Sequence, residues 1–121
     1  MKPTVRKARQ AAAERIEEEW GSLTWLANRA IGNAEGLTLG RVVIQPGMSN
    51  PRHSHPNCQE ALYLLRGTLE HSVGDDTVVL EAGDTLVVGP GVPHDARNVR
   101  EGPAEMIVAY SSGVREFRKE G

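Results

Sequence analysis

From Leu37 onward the chain is divided into short β-type segments by Gly, Pro and Asp, a punctuation that limits it to strands joined by tight connections. Strands are expected near 37–45, 60–66, 68–73, 77–80, 84–88 and 105–110. The joints are Gly67, Gly74-Asp75-Asp76, Ala82-Gly83-Asp84 and Gly89-Pro90-Gly91, each rich in residues that tolerate turns or positive φ. Connections this short make antiparallel neighbours, and several such strands in succession form a sandwich or barrel. The expected class is therefore all-β, and no internal repeat or low-complexity tract is visible.

The first thirty residues follow another pattern. Residues 3–20 lack glycine, and Val5, Ala8, Ala12, Ile16 and Trp20 recur at three- and four-residue spacing, which predicts a short amphipathic helix. Lys7 and Arg9 lie early and Glu17, Glu18 and Glu19 late, against the helix dipole, so an extended arm is the competing expectation. Gly21 marks a change of direction, and Trp20 and Trp25 flank it. Residues 1–30 are thus expected to be a helix or arm packing on the barrel or on a dimer partner, with both tryptophans outside the barrel. Residues 31–121 are expected to form the barrel itself.

A chain of 121 residues has the size of one domain. Its 14 basic and 16 acidic residues give a net charge of -2, which supplies no electrostatic attraction to nucleic acid or to an anionic membrane. The expected partners are a small molecule and a second copy of the chain. Cys58 is the single cysteine, so no intrachain disulfide can form, and a reducing cytoplasmic setting is expected. The polar N-terminal residues do not read as a signal peptide, and no apolar run approaches the roughly 20 residues of a membrane span.

The residues with metal chemistry are His53, His55, Glu60 and His94. Residues two apart on an extended chain point the same way, so His53 and His55 can offer two imidazoles to one ion. A third imidazole and a carboxylate can complete the set. Such a mixture suits one divalent transition metal, Fe, Mn, Ni, Cu or Zn, without choosing among them. A lone His-x-His proves little; the longer pattern carries the argument.

That pattern runs Gly47, five residues, His53, one residue, His55, four residues, Glu60, six residues, Gly67. It resembles the first motif of the cupin superfamily. The second motif is similar: Gly83, then Gly91, two residues to His94 and three more to Asn98. Gly89 stands where cupins usually have proline, with Pro90 displaced by one. The resemblance spans about Gly36 to Tyr110 and implies a small single-domain cupin, a double-stranded jelly-roll β-barrel. It also implies His53, His55, Glu60 and His94 as ligands, with Asn98 bracing its loop. Gln59 competes with Glu60, but neighbouring strand residues face opposite ways and the spacing favours Glu60. Small cupins commonly pair through N-terminal strands, which implies a homodimer.

Four further residues are candidates for the pocket. His71 shares strand parity with Leu69 and Val73, and Tyr110 alternates with Val108 and Met106; either can face the interior as a catalytic group. Arg41 and Gln45 precede the first motif and are candidates for binding an anionic substrate. Cys58 lies between His55 and Glu60, but nothing nearby marks it as a thiolate, and it is left out of the site. The function expected is a metal-dependent enzyme acting on a small oxygenated molecule, by dioxygenation or by isomerisation through an enediolate. The alternative is a metal-containing binding or sensing module without turnover.

Overall fold

The structure is a computed structural model that describes residues 3–120. One short helix, α1 (Ala8–Ala13), precedes eleven strands. They are β1 (Ile16–Glu18), β2 (Gly21–Ala27), β3 (Thr38–Ile44), β4 (His53–Ser54), β5 (Glu60–Arg66), β6 (Thr68–Val73), β7 (Asp76–Glu81), β8 (Thr85–Val88), β9 (His94–Asn98), β10 (Ala104–Tyr110) and β11 (Arg118–Lys119). All pairings are antiparallel and make two sheets, one in the order β1-β2-β3-β10-β5-β8 and the other β11-β4-β9-β6-β7. This is the jelly roll that the resemblance implied, built as two hydrogen-bonded sheets rather than one closed ring.

Period-two alternation sends one face of each inner strand into the core. Val42 and Ile44 of β3, Leu62 and Leu64 of β5 and Met106 and Val108 of β10 meet Leu69, Leu80 and Ala96 from the opposite sheet. Two glycines make room for close packing. Gly67 joins β5 to β6 at φ 90°, where a Cβ would lie 2.8 Å from the Ala104 backbone. At Gly40 the Trp25 ring occupies the space a side chain would need, 2.7 Å from where a Cβ would stand.

The helix expected over 3–20 is confined to Ala8–Ala13. The adverse charge polarity and Gly21 prevail beyond it, and Ile16–Glu18 folds back on Gly21–Leu23 as a strand pair. β2 then pairs along β3, so residues 21–27 belong to the larger sheet. Both tryptophans turn inward, contrary to the expectation of an outside position: Trp20 and Trp25 pack against the core cluster.

Candidate metal centre

The four motif residues come from both sheets. His53 and His94 are cross-strand partners on β4 and β9, His55 follows directly after β4, and Glu60 opens β5 in the facing sheet beside Tyr110. Their potential ligand atoms lie within 4.8 Å of one another, and all four residues are buried. Glu60 is inward and Gln59 exposed, as strand parity requires. Asn98 is fully buried; its side-chain amide donates to the carbonyls of Ile44 and Gly102 and its oxygen accepts from the Arg100 amide. It braces the loop instead of entering the site.

Hydrogen bonds set the protonation of the three histidines. His53 Nδ1 lies 2.6 Å from the Pro51 carbonyl, His55 Nδ1 2.8 Å from the Glu116 carbonyl and His94 Nδ1 2.8 Å from the Val92 carbonyl. A carbonyl oxygen only accepts, so each Nδ1 carries the proton and each Nε2 is left for the centre. Such a partner behind a ligating imidazole fixes its orientation and raises its basicity toward a metal. His55 Nε2 is buried without a hydrogen-bond partner, which in a polar cluster this tight calls for an electrophile. Three nitrogens and one carboxylate oxygen therefore fit a single divalent transition-metal ion, and these residues form a site for one.

The electrostatics follow from burial and from Glu60. Burial pulls the His53 imidazole down to about 4, the Pro51 carbonyl opposing and the neighbouring histidines adding to the fall. Burial also works against a charged His94, but the hydrogen bond and charge of Glu60, 2.9 Å from its Nε2, raise it above the ordinary histidine value. Burial likewise disfavours ionised Glu60, yet the His55 imidazole 3.4 Å away and the hydrogen bond from His94 outweigh it and hold the carboxyl well below its usual range. The carboxylate is thus charged and available as a ligand.

A cavity of about 220 Å³ opens above the cluster, lined by His53, Glu60 and His94 of the four. Trp20, Leu23, Val42, Met106 and Val108 form its apolar wall, and His71, Tyr110, Arg115 and Phe117 also line it. His71 is buried beside His94, the rings nearly parallel at 6.0 Å, and neither of its nitrogens has a hydrogen-bond partner. Burial lowers it to about 4. Tyr110 packs edge-on to His55, and burial together with the Glu60 charge raises its phenol far above the ordinary value.

Arg41 and Gln45 are not brought to this cavity. Arg41 has the outward parity of β3 and pairs with Glu105 on the outer face, while Gln45 lies exposed just past the strand. Cys58 is a buried free thiol within the core cluster, and desolvation raises its pKa, as suits a packing residue. The sequence pattern missed the contribution of the C-terminal segment. Phe117 stacks on His53 at 4.7 Å, and Glu116 supplies the carbonyl behind His55. Only the single aromatic of a charged tail marked it.

The family model for the cupin domain matches residues 40–110. Germin-like protein 5-1 of Oryza sativa subsp. japonica is 34% identical over 112 residues, covering 84% of this chain and 50% of that protein. Germin-like protein subfamily 2 member 1 of Arabidopsis thaliana is 34% identical over 87 residues, covering 66% of this chain and 39% of its own length. The chain thus spans half or less of these relatives. Among solved structures, an oxalate oxidase superposes with a TM-score of 0.75 at 25% identity, over 82% of this chain and 54% of that one. The oxalate decarboxylase of Lactobacillus farciminis superposes with a TM-score of 0.81 at 22% identity, over 88% and 33%, a likeness of fold alone. The family match covers both ligand motifs and most of the two sheets: the chain belongs to the cupin domain family.

Proposed function

We propose that this cupin is a metal-dependent enzyme acting on a small oxygenated organic molecule, with His53, His55, Glu60 and His94 as the ligands. The observation that carries the reading is the convergence of three oriented Nε2 atoms and one ionised carboxylate, with His53, Glu60 and His94 lining a cavity. Four protein donors leave one or two positions of a five- or six-coordinate ion for substrate oxygen atoms. When bound, the ion supplies a Lewis acid or a redox centre.

The chain's own groups do the rest. The apolar wall excludes water from the substrate. Tyr110, held protonated, donates a hydrogen bond and does not act as a base at neutral pH. His71 is neutral there and offers one ring nitrogen to accept a proton and the other to donate one. The likeness to an oxalate oxidase at 25% identity supports an oxygen-consuming reaction over isomerisation.

The test is the metal content of protein purified without chelator, paired with oxygen uptake on small carboxylic acids, diketones, phenolics and thiols. One redox-active ion per chain with oxygen uptake is the expected result. A stoichiometric ion without turnover of any kind would move the assignment to a binding module, and no metal on reconstitution would refute it. We also propose a homodimer, supported by Tyr63, Leu65 and Val87 exposed on the outer face of β5 and β8, and testable by light scattering.

A further inference from the structure

We propose that Arg115 is the anion-recognition residue of this cavity and that the ligand it takes is a small carboxylate; the inference rests on the reading of the cavity as a substrate site above a metal ion. Arg115 lies on the segment after β10, beyond the residues that the family model matches. Its guanidinium carbon stands 4.9 Å from the Trp25 ring centroid, 5.4 Å from Tyr110 and 5.1 Å from Phe117. Three rings so placed hold the head group by cation–π attraction.

Its surroundings differ from those of the other arginines. Arg6, Arg15, Arg29, Arg41, Arg52 and Arg66 each pair with a glutamate. Arg9, Arg97, Arg100 and Arg118 are exposed and solvated. Arg115 is half-buried, its Nε is buried without a hydrogen-bond partner, and no carboxylate among the described residues pairs with it. A desolvated guanidinium donor without an acceptor is costly, and Arg115 lines the cavity above the histidines, where a ligand can supply one, as well as a cleft beside Trp25 and Gly113.

Charge and size define that ligand. A divalent ion and Arg115 together exceed the single charge of Glu60 by two, and the remaining lining carboxylate, Glu18, is exposed at the rim. An apolar wall makes this excess a strong preference for an anion. A volume of about 220 Å³ is below the roughly 300–1,000 Å³ of drug-sized pockets, so the anion is small. A carboxylate matches the planar guanidinium fork and leaves a neighbouring oxygen for the metal.

The test uses zinc-loaded protein, with glycolate as the probe and glycolamide as its neutral isostere, titrated by tryptophan fluorescence, which Trp25 beside the guanidinium reports. Wild-type protein is expected to bind glycolate at least about ten-fold more tightly than glycolamide. Arg115→Gln is expected to lose about ten-fold in glycolate affinity, to bind glycolamide as before and to keep one zinc per chain. Unchanged glycolate affinity in Arg115→Gln, or no preference in the wild type, would overturn the proposal. If Arg115→Gln fails to fold, Arg115→Lys decides: it keeps the charge but not the fork, so a several-fold weakening is expected and equal affinity is the contrary result. Wild-type protein that binds no zinc would refute the metal reading separately. The same titration on metal-free protein then decides Arg115, upheld by a glycolate preference that Arg115→Gln abolishes and overturned by its absence.

Discussion

His53, His94 and His55 are fixed by carbonyls of different origin, and this decides which substitutions matter. Pro51 and Val92 each lie two residues upstream of the histidine they brace, so those two ligands are oriented by their own loops. His71 has no such brace and lies outside the ligand set. His53→Ala and His94→Ala are therefore expected to lose most of the bound metal, whereas His71→Ala retains one ion per chain; elemental analysis after desalting distinguishes them. Equal loss in all three would remove the ligand assignment. Much of this site was legible in the sequence, because ligand spacing is dictated by the strands that carry it and Glu60 is separated from Gln59 by parity alone. Parity also sets the position of Arg41: one residue of register puts it on the face opposite Val42, away from the cavity. Arg115 and Phe117 had no such signal, since their role depends on where the chain returns after β10.

At the level of elements, the six strands with apolar alternation were readable to within a residue or two, from β3 through β10. β4 and β9 were not, although they carry ligands. On β9 the inward residues are His94, Ala96 and Asn98, so the alternation exists but has polar groups inside, where a hydrophobic pattern does not register it. The C-terminal segment is, like β1 and β2, an element that only tertiary contacts define. β11 pairs with β4, and exposed Asn57 holds the segment through the Val114 carbonyl at 2.6 Å and the Glu116 amide at 2.9 Å. Asn57→Ala is expected to loosen the carbonyl behind His55 and to weaken metal affinity by about ten-fold, measured by chelator competition, with little change in unfolding midpoint. An unaltered affinity would show that β11 alone positions Glu116. Gly40→Val tests the packing of β2 on β3. Its side chain would displace the Trp25 ring, so a loss of about 1–3 kcal/mol in urea unfolding is expected, and a neutral effect would mean that the ring can move freely.

For the whole molecule, the consequence of enclosing imidazoles between two sheets is acid lability. His53 and His71 are both lowered from 6.5 to about 4 by burial, so the folded chain keeps them neutral where the unfolded chain takes up protons. Stability of the metal-free protein must then fall as pH drops from 6.5 towards 4, by up to about 3 kcal/mol for each histidine. Glu60, depressed below 4.5, extends the loss to lower pH, because the unfolded carboxyl binds its proton first. His94 acts in the opposite sense. Its raised value contributes stability that is fully present below 6.5 and lost as pH rises through the folded value, so it does not offset the acid limb. Metal binding steepens the dependence, since the proton on His94 Nε2 must leave before that nitrogen can ligate. Urea unfolding of chelator-treated protein across pH 4–8 is expected to show the decline below 6.5, and His71→Leu, which removes one of the two buried imidazoles, is expected to reduce its slope by about half. A flat profile between pH 6.5 and 4.5 would mean that protons enter the folded core freely, and the description of His53 and His71 as desolvated neutral groups would fail.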